Sequence, residues 1–252
     1  MNNPLTIAIH YETVEQCAVA QALADELHLP LVNREPQAVD LLLVATAQRL
    51  ELRQTHKGAP GAIFVDFVSG KNAFRSTPQN LQKELIARAI QVKSQPRLRI
   101  IDATAGFGQD AFIAASLGHE VQLIERSPIV AALLKDGLMR LREKDTQIKL
   151  SLVASNAISY LQQLSADAYP DVVYLDPMFP ERVKSALVKK EMRLLQQLVG
   201  QDQDAPQLLQ IAKTVAKYKV VVKRPRLAPF LGDDTPSFSL QGKVGRFDIY
   251  RK

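Results

Sequence analysis

From residue 98 onward, short apolar runs alternate with stretches of helical periodicity, and this alternation restricts the chain to very few folds. The apolar runs lie at 98–102, 120–125, 148–153 and 172–176, with helical patterns between them at 110–117, 128–142 and 157–164. Repeated strand–helix–strand units imply a parallel sheet with helices on both faces, since only a crossover returns the chain to start a parallel neighbour. The strands are continuously apolar, as expected where both faces are covered. Helical patterns at 183–199 and 206–215 precede a further strand at 218–223. Two last runs, 237–240 and 246–251, surround Gly242 and Gly245 and predict an antiparallel edge hairpin.

The first third has another rhythm. A strand at 5–10, a helix at 14–27 and strands at 38–45, 50–54 and 62–68 are expected, separated by polar or Gly/Pro-bearing turns. These make a small α/β lobe over 1–68. A polar stretch, 69–79, carries Gly70, Lys71, Arg75 and Pro78 and reads as a loop over the groove between lobes, followed by an amphipathic helix at 81–92. The expected organisation is therefore a lobe at 1–68, a connecting loop and helix at 69–95, and a main domain at 96–252. No internal repeat or low-complexity segment interrupts it.

Composition narrows the function classes. With 46% hydrophobic and 23% charged residues, the 252-residue chain is neither disordered nor fibrous. A single cysteine, Cys17, forms no internal disulfide, and His10, His28, His56 and His119 lack the neighbours of a metal site, so no metal is expected. The longest apolar stretch, 41–47, is too short for a bilayer, and the start lacks a signal-peptide pattern; a cytoplasmic protein without a membrane partner is expected. The net charge of +6 is unevenly placed. Residues 1–46 hold one basic against six acidic residues, a net −5, whereas 181–226 hold eleven basic against four acidic, a net +7. Such a segment is either a footprint for a polyanion or a solvated helix face.

Chemistry concentrates where strands end. The run Asp102-Ala103-Thr104-Ala105-Gly106-Phe107-Gly108-Gln109-Asp110 links a strand to a helix, a small-residue turn that lets backbone approach a ligand at the helix N-terminus. The next strand ends in Glu125, the usual place for an acid that accepts from ribose hydroxyls. The third glycine of a dinucleotide fingerprint is missing, which favours a nucleoside ligand without pyrophosphate, such as S-adenosylmethionine, over NAD. Ser155-Asn156 ends the third strand and either meets an adenine edge or caps the following helix. The fourth strand ends in Tyr174-Leu175-Asp176-Pro177-Met178-Phe179-Pro180. There Asp176 and the Pro177 carbonyl suit an exocyclic amino group as acceptors, and Phe179 suits stacking on a base.

These segments resemble the RsmJ family, together with Glu125-Arg126, the run from Lys184 through Lys189 and Lys190 to Arg193, Lys223-Arg224-Pro225 and Arg246-Phe247-Asp248. That family comprises bacterial enzymes that methylate the N2 amino group of a guanine in 16S ribosomal RNA with S-adenosylmethionine. The resemblance implies a class I methyltransferase fold: Rossmann-like, with a mostly parallel seven-stranded sheet and an antiparallel C-terminal hairpin, plus the small N-terminal lobe. It places the cofactor against Asp102, Thr104, Gly106, Gly108, Gln109, Asp110, Glu125, Arg126, Ser155, Asn156 and Asp176. Gln109 stands where the family commonly has Arg. Asp176, Pro177 and Phe179 are the implied catalytic group. With 16S ribosomal RNA or the small ribosomal subunit as partner, the basic segment reads as an RNA-docking surface. Its candidate contacts are Lys184, Lys189, Lys190, Arg193, Lys223 and Arg224, joined by Lys71 and Arg75 from the inter-lobe loop. A methyltransferase acting on amino groups of DNA or protein, and a non-catalytic ribosome-assembly factor on the same fold, are the competing readings.

Overall fold

The computed structural model describes residues 5–33, 39–59, 61–178, 198, 202–243 and 245–252. Two sheets organise it. The first has three strands in the order β1-β2-β3: β1 (Ile7–Tyr11) runs parallel to β2 (Leu41–Ala45), which pairs antiparallel with β3 (Leu50–Gln54). Helix α1 (Cys17–Leu27) supplies the crossover that the parallel β1–β2 pair requires. Every residue of the central strand β2 is buried, which is why it reads as one apolar run.

The expected strand at 62–68 does not form. Only Ile63 bridges to Leu52, although the period-two pattern is real, because Ile63, Val65 and Phe67 are buried in alternation. Their partner is a helix surface and not another strand: Phe67 stacks on Phe112 at 5.1 Å, and the Val65 carbonyl accepts from the Arg140 guanidinium. The polar stretch that follows is also not a loop. It folds into α2 (Gly70–Arg75) and α3 (Pro78–Leu81), with Pro78 in the first turn where its missing N–H is harmless. The expected helix at 81–92 shortens to α4 (Leu85–Ile90). Its C-terminal carbonyls are closed by a buried ammonium, Lys219 Nζ, at 2.7 Å from Ala89 O and 2.6 Å from Gln91 O.

The second sheet has seven strands: β4 (Arg99–Asp102), β5 (Glu120–Glu125), β6 (Leu150–Ala154), β7 (Val172–Leu175), β8 (Lys219–Pro225), β9 (Phe238–Gln241) and β10 (Gly245–Arg251). Their order is β6-β5-β4-β7-β8-β10-β9, parallel from β6 to β8, with β10 inserted antiparallel between β8 and β9. This is the expected class I methyltransferase topology. Neighbouring residues on a strand serve opposite faces: Val172 and Tyr174 pack into one apolar cluster, Val173 and Leu175 into the other. The first cluster contains α4, α5 (Gln109–Ser116) and α6 (Pro128–Lys144); the second contains α7 (Ala157–Gln162) and α8 (Ala205–Val215). The strand order reverses between β4 and β7, and the crevice beyond their carboxyl ends is where open α/β sheets bind ligands.

The first cluster also runs without a break from Leu43 and Leu52 of the small sheet to Leu134 and Leu138 of α6. Gly137 sits at this seam. A Cβ there would lie 2.5 Å from Val65 Cγ1 and 2.9 Å from Val65 Cβ, and rotating the valine side chain does not move its Cβ. Gly137→Ala gains roughly 1 kcal/mol of helix propensity but forces an overpacking cost of about 1–3 kcal/mol. The expected result is a thermal melt below that of the parent, the reverse of an ordinary glycine-to-alanine change in a helix.

Candidate active site

Strand β4 delivers Asp102 to the crevice, and the turn that follows is set by two glycines in the left-handed region, Gly106 (φ 53°) and Gly108 (φ 69°). Gly108 is the N-cap of α5, and its α-carbon faces Phe67 and Leu134 so closely that a Cβ would sit 3.1 and 3.2 Å from them. Glycine is required there on both counts. Glu125, at the end of β5, anchors the turn: one oxygen accepts from Gly106 N at 3.0 Å and the other from Ser127 N at 2.8 Å. Each carboxylate oxygen keeps a further lone pair, so this bracing leaves Glu125 able to accept from a ligand hydroxyl. Burial pushes its pKa up, against those two backbone bonds.

The turn is tied to the end of β7. Asp176 N donates to Thr104 Oγ1 at 2.6 Å, so the threonine side chain cross-links the turn to the end of β7. Asp102 lies beneath, almost fully buried, with Thr104 N on one oxygen at 3.1 Å. Burial, reinforced by the charges of Asp110 and Asp176, pushes its pKa to about 8, so it carries a proton at neutral pH.

Asp110, the second residue of α5, is the hub. Its Oδ2 accepts from Tyr174 Oη at 2.8 Å and Lys223 Nζ at 2.7 Å; its Oδ1 accepts from Arg75 at 3.2 Å. Burial alone raises a carboxyl pKa, but here the Lys223 ammonium, with the Tyr174 and Arg75 contacts, outweighs it and holds Asp110 at about 2. Lys223 Nζ also reaches Asp176 Oδ2 at 2.8 Å. The two carboxylates hold the lysine pKa well above its ordinary value, although burial works against them.

The remaining expected residues have the following surroundings. Arg75 is clamped by Glu84 as well as Asp110, with its side chain 16% exposed. Arg224 is 3% exposed, with its guanidinium on Pro229 O, whereas Lys223 keeps 38% of its side chain exposed at the crevice while pairing with two carboxylates. Both sit on β8, an interior strand between β7 and β10, so each is brought against neighbouring elements that lie far away in sequence. Lys71 lies on α2, and its side chain is outside the described residues, as are Lys184, Lys189, Lys190, Arg193 and Phe179. Asn156 acts as the N-cap of α7, its Oδ1 accepting from Ser159 N at 3.1 Å; Ser155, just before it, is half-buried. Gln109 opens α5 beside Asp110, and Arg126 pairs with Asp202 and Asp204. Pro177 follows Asp176, and Met178 N donates to Asp202 Oδ2 at 2.7 Å.

Tyr174 and Asp202 were not anticipated as site residues, nor Arg75 as a partner of Asp110. Tyr174 was recoverable, since it lies two positions before Asp176 on one strand and shares its face. Asp202 had no local signal: it reaches Met178 from 24 residues away. Among the described residues no cluster of three or more His, Cys, Asp or Glu side chains could hold a metal ion, and no helix is long and apolar enough to cross a membrane.

A family model described as putative SAM-dependent methyltransferase matches residues 22–252. Proteins named ribosomal RNA small subunit methyltransferase J are similar throughout: that of Thioalkalivibrio sulfidiphilus is 48% identical, covering 97% of this chain and 97% of its own. That of Coxiella burnetii, strain RSA 493, is 47% identical over 97% of this chain and 96% of its own. The chain belongs to the RsmJ family. The crystal structure of a SAM-dependent methyltransferase from Neisseria gonorrhoeae, 35% identical, superposes with a TM-score of 0.75, covering 98% of this chain and 96% of that one. As an RsmJ member, the protein is an enzyme that uses S-adenosylmethionine. The site fits that cofactor. A glycine turn opens onto the switch-point crevice, and Glu125 is braced beside it with lone pairs left to accept from a hydroxyl.

Proposed function

We propose that this chain methylates the exocyclic N2 amino group of a guanine in 16S ribosomal RNA. One observation carries the reading: the glycine turn and Asp176 are locked side by side by the 2.6 Å bond from Asp176 N to Thr104 Oγ1. That bond sets a carboxylate acceptor next to the cofactor crevice. The naming of the relatives for the small-subunit ribosomal RNA supports the choice of substrate.

When bound, the cofactor would supply an electrophilic methyl group, its S–C bond breaking so that the sulfur leaves as a neutral thioether. Asp110, Glu125, Ser155 and the N-terminus of α5 hold it in place, with Asp102 and Asn156 shaping the strand ends around it. Asp176 and the Pro177 carbonyl receive the two N–H bonds of the guanine amino group, which orients the nitrogen lone pair. As the new N–C bond forms, Asp176 takes the proton that the nitrogen sheds. Positioning of this kind lowers a barrier by roughly 7–11 kcal/mol. A paired or stacked target must first swing out, at a cost of about a few kcal/mol. Phe179 is proposed as the stacking partner of the extruded base, and the basic residues of 181–226 that are not turned inward as contacts to its phosphates. Work on ribosomal RNA fits a cytoplasmic enzyme.

The test uses methyl-labelled cofactor with small ribosomal subunits and, separately, with protein-free 16S RNA, followed by nucleoside digestion and mass spectrometry. Label in N2-methylguanosine is expected. Label in another nucleoside, in DNA or in protein would overturn the substrate assignment, and absence of cofactor binding by calorimetry would favour an assembly factor.

A further inference from the structure

Strand β8 is apolar through Val220, Val221 and Val222 and then places a lysine at the edge of the crevice. The register explains why it meets the site: Leu175 of β7 pairs with Val222 of β8, so Asp176 and Lys223 are the next residues on adjacent parallel strands. The ammonium reaches Asp176 Oδ2 at 2.8 Å and Asp110 Oδ2 at 2.7 Å. A single cation therefore joins the end of β7, the end of β8 and the first turn of α5. Among the described residues, nothing donates to the other oxygen of Asp176, Oδ1.

We infer that Lys223 is a positioning residue for methyl transfer: it fixes Asp176 through Oδ2, leaving Oδ1 to accept from the substrate amino group, and keeps that carboxylate ionised. The inference rests on the reading of Asp176 as the amino-group acceptor. Without Lys223, Asp176 faces Asp110 of α5 and Asp202 ahead of α8, with Asp102 and Tyr174 also close in the network. The charges of Asp110 and Asp202 favour a protonated Asp176, and Asp102 and Tyr174, which hold their protons, supply no positive charge to oppose them. Burial already pushes the Asp176 pKa up, and Lys223 is the largest opposing influence. A protonated Asp176 can neither hold the amino group through both lone pairs nor take its proton. A lysine that only neutralised charge for folding would have no need to favour one oxygen.

The experiment compares Lys223→Met, Lys223→Gln and Lys223→Arg with the parent, after thermal melts identify which variants fold. For the uncharged variants kcat is expected to fall roughly 30- to 100-fold, in line with the cost of a misplaced group, with KM for RNA little changed. The acid limb of the pH–kcat profile should move to higher pH by about one pH unit or more, the scale of an opposite charge at hydrogen-bond distance. Lys223→Arg should keep the parent's limb and recover part of kcat. A folded, uncharged variant with the parent's kcat and acid limb overturns the inference. So does a Lys223→Arg variant as impaired as the methionine variant with no shift in either limb, which marks a role in folding alone. Carboxyl carbon NMR of the cofactor-free protein, with Asp176→Asn to assign the signal, reads the same point without any RNA. Asp176 titrating at higher pH in the glutamine variant supports the inference, and an unmoved titration overturns it. If the parent fails to methylate RNA while this titration still moves, the substrate reading has failed and the role of Lys223 in holding Asp176 ionised stands.

Discussion

Asp176→Ala is expected to lower single-turnover methyl transfer by about 10²–10⁴-fold, the usual contribution of a positioned proton acceptor, while the protein remains folded. Folding survives because Lys223 keeps its second partner, Asp110, and the backbone bond from residue 176 to Thr104 Oγ1 does not need the side chain. The pH dependence separates this from a general loss of shape. Burial and the neighbouring Asp110 raise the Asp176 pKa, and Lys223 lowers it. The parent rate should therefore climb with pH as Asp176 ionises, and the residual rate of the alanine variant should lack that rise. Rapid-quench measurements with labelled cofactor across the acid range give both readings. Undiminished transfer by the variant would remove Asp176 from the chemistry.

How much of this site the sequence could disclose depends on the distance over which each contact acts. The glycine turn, Glu125 and Asp176 were legible because each sits at the carboxyl end of an apolar run, and a parallel sheet brings such ends together whatever the side chains do. The pairing of Lys223 with Asp176 was not legible, because it follows from β7 and β8 being neighbours in a register that a 47-residue separation hides. The burial of Arg224 was hidden for the same reason: charge was counted along the chain, whereas burial was decided across it. Residues 62–68 failed differently. Their period-two pattern fixed which side chains turn inward but not what they turn toward, and α6 took the place of a strand. The helices α2 and α3 were hidden by polar composition, since short helices braced by tertiary contacts need little apolar periodicity of their own.

Asp110→Ala is expected to be the most destabilising single change in the site. The aspartate receives Lys223, Tyr174 and Arg75, and its side chain is 14% exposed, so its removal strands a buried phenol and weakens the pairing of two cations at once. Breaking a buried pair from one side costs about 3–5 kcal/mol. At roughly 2–4 °C per kcal/mol for a protein near this size, Tm should fall by on the order of 10 °C. Acid titration checks the electrostatic share. The carboxyl titrates at about 2 in the folded protein against an ordinary 3.8, so the folded state binds fewer protons than the unfolded chain across that window. Stability from this group is then complete above about pH 4 and is lost as pH falls through about 2, a contribution of about 2 kcal/mol. Urea melts from pH 6 down to pH 2 should show this acid loss in the parent and not in the variant. The deletion should nevertheless cost more than titration removes, because protonation leaves a hydroxyl and a carbonyl for the three donors, whereas alanine leaves nothing. Equal losses by the two routes would mean that Asp110 acts through its charge alone and that the converging hydrogen bonds add no stability.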